Sequence, residues 1–162
     1  MRIAQLVSLI AFGLVGLFLI VPWLKRRGRA DALIALFSVH LFRVVALFEI
    51  QAQHDGYPIS NIAVTEIVVG DLLGAAMAAL AIVLLRARNR LGVVLSWLVI
   101  LETIVDIGVG IHRKILEPLH ADVTGIMWPV LVVFVPLMLV TLPLLVWQLI
   151  ARRKEPLRIA AA

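Results

Sequence analysis

The chain has 162 residues, 63% of them hydrophobic, and a mean hydropathy of +1.09. Soluble domains are nearer half apolar, so this composition predicts an integral membrane protein. The absence of cysteine excludes disulfides and thiolate metal sites. The net charge of +5 does not indicate a nucleic-acid partner, because the basic residues form short clusters between apolar runs, as in membrane topology signals.

Five apolar segments approach the roughly 20 residues needed to cross a hydrocarbon core. They cover residues 3–23, 31–52, 62–85, 91–111 and 126–150. The sequence therefore predicts an all-α, polytopic integral membrane protein in which residues 1–162 form a single transmembrane helical bundle. The first segment is interpreted as a retained helix rather than a signal peptide, because its apolar run is long and a basic stretch follows it.

The basic residues also predict the orientation of the bundle. Eleven of them fall on one side of the predicted spans, and they are Lys25, Arg26, Arg27, Arg29, Arg86, Arg88, Arg90, Arg152, Arg153, Lys154 and Arg158. Only Arg2, Arg113 and Lys114 fall on the other side. The positive-inside rule then predicts the N-terminus outside and the C-terminus inside, in the plasma (inner) membrane of a bacterial-type cell.

Short connections join the spans, and residues near their ends predict where helices begin. Ser60 or Asn61 is expected to cap the third helix, and Asp31 is expected to cap the second. Each of these three residues carries a side-chain oxygen that can accept a hydrogen bond from the first turn of a helix.

The third span carries small residues at four-residue spacing, at Gly70, Gly74 and Ala78. Small residues let helix backbones approach closely. This face is expected to make a contact inside the bundle, and the alternative is a homo-oligomer formed through the same face.

The fifth span places Pro129, Pro136 and Pro143 seven residues apart, on one face of a helix. Each proline lacks an amide donor and leaves a carbonyl four residues earlier without its helical partner. For Pro136 that carbonyl belongs to Val132. These carbonyls need other donors, which favours burial of the face or a local change in helix geometry.

Ionisable side chains inside the predicted spans are the strongest functional signal. They are His40, Arg43, Glu49, Glu66, Asp71, Glu102 and Asp106. Counted from the outer helix ends, Arg43, Asp71 and Glu102 lie roughly 15 Å deep, and Glu49, Glu66 and Asp106 roughly 6–9 Å deep. Ionisable groups at such depths are costly and are functional by default. We therefore predict that the second, third and fourth helices enclose a cluster that opens to the outer face.

Helical spacing refines this cluster. Glu102 and Asp106 share a face at i and i+4, whereas Glu66 and Asp71 are about 140° apart around their helix and cannot point the same way. Arg43 is expected to pair with Asp71 or Glu102. In this arrangement Glu102 is the proton carrier or deep ligand, and Asp106 is the ligand nearer the mouth.

Three functional classes remain open from the sequence. The favoured one is binding of a cation, proton or small polar ligand by a transport or coupling component. The second is a membrane-embedded oxidoreductase that depends on a metal or cofactor, and the oxygen-rich side chains suit a hard divalent ion better than zinc or copper. The third is a purely structural subunit in which the same groups form interhelical hydrogen bonds. No hydrolase or nucleotide-binding motif occurs, so no catalytic residue is assigned.

The remaining histidines do not support haem. Two axial ligands should lie at similar depth, but His40 is deep whereas His54, His112 and His120 lie at or beyond the outer boundary. These three, together with Asp55, Glu117 and Asp122, are candidate ligands for a surface metal ion. The alternative is that they are solvated loop residues.

Overall fold

The computed structural model describes residues 2–116, 125 and 127–157, and all regular secondary structure among them is helical. Five helices are long and apolar enough to span a membrane. They are α1 (Ile3–Lys25), α2 (Arg29–His54), α3 (Asn61–Arg86), α4 (Leu91–Leu116) and α5 (Met127–Ala151). The five predicted spans are therefore confirmed as helices, with boundaries that differ by a few residues.

The helix caps are partly as predicted. Ser60 caps α3, because its Oγ accepts a hydrogen bond from the Ala63 amide at 3.1 Å. The prediction for Asp31 is wrong: α2 begins at Arg29, two residues earlier, and the Asp31 carboxylate accepts a hydrogen bond from Arg88 Nη2 at 3.2 Å. A partner from another helix thus replaces the local cap.

Helices α2, α3 and α4 form the centre of the bundle. Helix α3 packs against both α2 and α4, α5 packs against α2, and α1 packs mainly against α5. Helix α1 is accordingly peripheral, and only 6% of its most apolar window is buried. We call the end of the bundle that carries the loop 55–60 the Tyr57 end, and the end that carries the turn 87–90 the Arg88 end.

The half of the bundle nearest the Arg88 end is filled with apolar side chains. Leu33, Phe37, Leu85, Val99 and Leu145 are all completely buried in this core. Burial of such side chains is the main packing contribution available to the chain. The Tyr57 half has smaller buried clusters and leaves room for a cavity.

Proline residues widen two of the helices. The segments Gly16–Ile20 of α1 and Val130–Phe134 of α5 are π-helical, and they end just before Pro22 and Pro136. In α5 the wider winding moves the unpaired carbonyl from the predicted Val132 to Leu131. The Leu131 carbonyl accepts a hydrogen bond from Gln5 Nε2 of α1 at 3.1 Å. A side chain of the peripheral helix therefore satisfies the carbonyl that the proline cannot.

Candidate functional site

Arg43 lies in an irregular segment in the middle of α2. Hydrogen bonding changes from α to 3-10 over Leu41–Ala46, and only 5% of the Arg43 surface is exposed. A 3-10 segment has 3.0 residues per turn instead of 3.6, so it changes the direction in which successive side chains point. From this segment the guanidinium reaches both α3 and α4.

Three carboxylates surround the Arg43 guanidinium. Nε donates to Asp71 Oδ1 at 2.7 Å, Nη1 to Glu102 Oε2 at 2.6 Å, and Nη2 to Asp106 Oδ2 at 2.8 Å. Nη2 also donates to Glu102 Oε1 at 3.1 Å, so the two carboxylate oxygens of Glu102 accept from two different guanidinium nitrogens. The predicted pairing of Arg43 is confirmed, with both named partners and a third carboxylate. We call Arg43, Asp71, Glu102 and Asp106 the Arg43 cluster.

Two glycines of α3 make room for this cluster. A Cβ atom at Gly74 would overlap the Arg43 guanidinium and the Glu102 carboxylate, and one at Gly70 would overlap the Asp106 carboxylate. Gly74 and Ala78 are buried within the chain. The small-residue face therefore serves a contact inside the bundle, the first of the two predicted alternatives, and Gly74 and Ala78 are not available to a second copy.

The cluster contains more acid than base. One guanidinium faces three carboxylates, and the buried Glu49 adds a fourth beside Asp71 and Asp106. Fully ionised, these five groups would carry a net charge of −3. Such an excess in a poorly solvated bundle must be balanced by bound protons, by water or by a cation.

A cavity of about 320 Å³ lies against one side of the cluster, in the Tyr57 half of the bundle. Its polar wall includes Glu49, Asp71 and Asp106, and Gln5 and Tyr57 also line it. The rest of the wall is apolar and consists of Ile59, Ile67, Ile107, Gly110, Ile111, Met127, Val130, Leu131, Val135, Met138 and Leu139. All five helices and the loop 55–60 therefore contribute to one pocket.

Glu49 is the most unusual side chain of this wall. It is 6% exposed, and its Oε2 atom has no hydrogen-bond partner among the described residues. An unpaired buried carboxylate oxygen is costly unless a proton or a ligand satisfies it. Burial and the neighbouring Glu49 carboxylate also raise the pKa of Tyr57 in the adjacent loop.

Residues 1–150 match the family described as a domain of unknown function, DUF8737. The chain belongs to this family. No curated protein and no solved structure matches it.

The seven ionisable residues that were grouped from the sequence do not all lie together in the structure. Glu66 points away from the Arg43 cluster and accepts hydrogen bonds from Arg113 Nε and Nη2, at 2.6 and 2.5 Å. This divergence from Asp71 is the one that helical spacing predicts. His40 is completely buried, and its Nε2 lies 3.4 Å from the Thr141 hydroxyl of α5. The recorded hydrogen bonds of His40 and Glu66 are therefore to residues outside the Arg43 cluster.

Glu102 bonds to Arg43 through both of its oxygens and is not among the residues that line the cavity. Its role as a proton carrier or deep ligand stays a prediction. The carboxylates that line the cavity are Glu49, Asp71 and Asp106.

Metal ligation receives no geometric support within the part of the chain that the structure describes. No group of three or more His, Asp or Glu side chains there has an arrangement that could hold a metal ion. For the surface site, Asp55 accepts a hydrogen bond from Gln51 Nε2 at 2.9 Å. Glu117, His120 and Asp122 lie outside the described residues.

Several residues that line the pocket or contact Arg43 were not predicted from the sequence. Gln5 could have been noticed as the one amide in an apolar helix, and Thr103 as a hydroxyl next to Glu102. Thr103 Oγ1 accepts a hydrogen bond from Arg43 Nη1 at 3.1 Å. Tyr57 and Met127 carry no such signal, since they reach the pocket through the folding of their segments.

Proposed function

We propose that this protein binds a small cation with an apolar body in the cavity beside the Arg43 cluster, as the ligand-binding part of a transport or coupling component. One observation supports this most directly. The buried Glu49 carboxylate has one oxygen without a hydrogen-bond partner in the described part of the chain, and it shares a cavity of about 320 Å³ with Asp71 and Asp106. A cation there would balance the excess negative charge of the cluster.

The composition of the wall favours an organic cation. Ligand pockets of roughly 300–1,000 Å³ are typically apolar with a few placed polar groups. Arg43 engages Asp71 Oδ1 and Asp106 Oδ2, so the other oxygen of each carboxylate is not bonded to the guanidinium. An ammonium group can donate hydrogen bonds to these oxygens and to the Glu49 carboxylate while its hydrocarbon part contacts the isoleucine and methionine side chains.

The proposal concerns a binding site rather than an open pore. Among the described residues, the Arg88 half of the bundle is occupied mainly by the apolar core, and the residues that line the cavity do not extend into that core. A transport or coupling role then requires a conformational change or a partner in addition to this site.

We further propose that the Tyr57 end, and with it the cavity, faces the outside of the plasma (inner) membrane. Ten of the eleven basic residues counted above lie at the Arg88 end, and the eleventh, Arg158, is outside the described residues; this excess supports a cytoplasmic position for that end under the positive-inside rule. The ligand would then enter from the outer side.

A second candidate function is purely structural. It is favoured by the completeness of the Arg43 bonding, because each guanidinium nitrogen donates to at least one carboxylate. On that view the cluster holds three helices together and the cavity has no physiological ligand. The two candidates differ in what they predict for Glu49.

Thermal unfolding of the purified protein in detergent tests the proposal. Benzylammonium chloride serves as probe, and benzyl alcohol is the matched neutral compound. A ligand at 100 times its Kd stabilises the folded state by about 2.7 kcal/mol, which for a chain of this size raises Tm by roughly 5–10 °C. We expect this rise with benzylammonium, little with benzyl alcohol, and none in Glu49→Gln.

Glu66→Gln is the control variant, because Glu66 is a carboxylate outside the cavity that pairs with Arg113. It should retain the response to benzylammonium. Glu102→Gln should lower Tm, since it removes half of an ion pair, yet retain the response. If benzylammonium, sodium and magnesium each shift Tm equally in the unmodified chain and in Glu49→Gln, the cation site is refuted and the structural candidate stands.

A further inference from the structure

A second cavity, of about 960 Å³, lies at the Arg88 end, on the opposite side of the apolar core from the cation site. Its charged wall comes from three separate parts of the chain. It consists of Arg29, Arg88, Arg90, Arg153, Lys154 and Glu155. Five basic groups thus converge around one acidic group.

The acidic group is already neutralised. Arg152, which does not line this cavity, donates to both Glu155 oxygens, at 2.7 and 2.5 Å. These hydrogen bonds lower the pKa of Glu155, so it remains an ionised partner of Arg152. Arg88 is paired with Asp31, through the 3.2 Å hydrogen bond described above, so the excess positive charge of the wall comes from its other four basic residues.

Within the described ranges Arg29 hydrogen-bonds to no carboxylate, and Glu155 acts on it only through its charge. It is 7% exposed, and its Nη1 and Nη2 atoms donate to the Arg153 and Leu149 carbonyls at 3.3 and 3.4 Å. Its Nε has no hydrogen-bond partner among the described residues. A buried guanidinium bonded only to neutral carbonyls favours an anion nearby.

Arg88 is held at the cavity by an unusual backbone conformation. Its φ of +55° lies in the left-handed region of backbone conformation, which residues other than glycine rarely adopt. It closes α3 in a Schellman motif, in which the Asn89 amide donates to the Leu84 carbonyl at 2.9 Å. The Arg88 side chain then donates to the Leu157 carbonyl at 2.9 Å and links the turn to the end of the chain's described part.

The other wall of this cavity is apolar and continues onto the surface of the bundle. Val94, Trp97 and Ile150 line it and are 57%, 42% and 56% exposed. Side chains this exposed on membrane-spanning helices face acyl chains, and tryptophan is typical of the membrane–water interface. A ligand here would meet positive charge at one end and hydrocarbon contact at the other.

We propose that this cavity binds the phosphate headgroup of an anionic phospholipid, with the acyl chains lying along Val94, Trp97 and Ile150. Basic pockets between membrane helices are suited to such headgroups because each Lys or Arg adds attraction for the phosphate. A soluble phosphate ion would satisfy the basic groups but would leave the adjoining apolar wall without a partner, so the lipid is the occupant that fits both walls.

Lipid-dependent thermal stability in dodecylmaltoside tests the proposal. Dioleoylphosphatidylglycerol, dioleoylphosphatidylcholine and sodium phosphate are each titrated at constant ionic strength, and Tm is recorded. We expect the phosphatidylglycerol to raise Tm at concentrations roughly tenfold lower than the phosphatidylcholine, and phosphate alone to have little effect.

The double variant Arg90→Gln/Lys154→Gln removes two exposed cations of the cavity wall for which no side-chain bond is recorded, so it should fold normally. Its apparent affinity for phosphatidylglycerol should fall roughly tenfold or more. The control Lys25→Gln/Arg26→Gln removes the same charge at the same end of the bundle but outside the cavity, and should retain the affinity.

Two results would overturn the assignment. Equal losses in the two double variants, or equal responses to the two lipids, would mean that the lipid responds to diffuse surface charge. A response to phosphate as large as that to phosphatidylglycerol would mean that the ligand is a soluble phosphate.

Discussion

Arg43 is the residue on which the three central helices depend. Its guanidinium bonds to Asp71 of α3 and to Glu102 and Asp106 of α4. The side chains of these carboxylates are 18%, 12% and 13% exposed, so water can solvate them only in part. Loss of the arginine would therefore leave three carboxylates close together with no positive partner.

Arg43→Ala should strongly destabilise the protein. Removing one partner of a buried ion pair typically costs about 3–5 kcal/mol, because the remaining charge stays buried. We expect a large loss of monodisperse protein in size-exclusion chromatography after extraction in detergent. Arg43→Lys should recover only part of this loss, since an ammonium group cannot reproduce the fork with Glu102.

Arg26→Ala is the matched control, because Arg26 is exposed at the Arg88 end and no ion pair is recorded for it. Its yield should equal that of the unmodified chain. Equal yields for Arg43→Ala and Arg26→Ala would show that the cluster does not hold the helices together, contrary to the argument from its bonding.

Among the helices, α3 packs closely against its neighbours and also leaves space for the charged side chains of the Arg43 cluster. Gly70 and Gly74 lie where the guanidinium and the carboxylates meet, and neither tolerates a Cβ without displacing a charged group. The spacing of these glycines could be read from the sequence, but their link to Arg43 could not, because it depends on how α2 is rotated.

Gly74→Ala should destabilise the protein although alanine is the better helix former. Its Cβ would collide with Arg43 and Glu102, which cannot move without losing their bonds. Gly13→Ala is the control, since nothing lies within 4 Å of a Cβ there, and it should be neutral or stabilise by roughly 0.5–1 kcal/mol. The measurement is thermal unfolding of both variants, and a Gly74→Ala protein as stable as Gly13→Ala would contradict the packing described.

The sequence predicted where the helices lie better than it predicted their local geometry. Hydropathy located all five helices, because a span of about 20 apolar residues has few other structures available to it. It did not predict the 3-10 segment Leu41–Ala46, which contains no proline. Prolines did indicate irregularity in α5, but the π-helical segment moved the affected carbonyl by one residue, to Leu131.

For the molecule as a whole, the predicted depth layers identified the right neighbourhood but not every member of it. Depth depends only on position along a helix, so Arg43, Asp71 and Glu102 were grouped correctly. The direction in which a side chain points depends on the rotation of its helix about the helix axis and on packing. His40 accordingly points toward Thr141 of α5. The same reason explains why Glu49 lines the cavity whereas Glu102 does not.

The proposed orientation can be measured across the whole bundle. Reporter fusions or cysteine labels at residues 27, 88 and 156 should all report the cytoplasmic side, and a label at residue 57 should report the outer side. The reason is the excess of basic residues at the Arg88 end. A cytoplasmic signal from residue 57 would reverse the orientation and place the cation site on the inner side.

The ion pairs of Arg43 also constrain how the chain is made. An isolated helix with arginine or aspartate at its centre enters the bilayer at a cost of about 2.5–3.5 kcal/mol for that residue. Arg43 and Asp71 lie on consecutive helices joined by the short loop 55–60, and each is the partner that the other lacks. We therefore expect α2 and α3 to enter the lipid together as a hairpin during synthesis. Helix α4 would then follow with two acids for a guanidinium already in place.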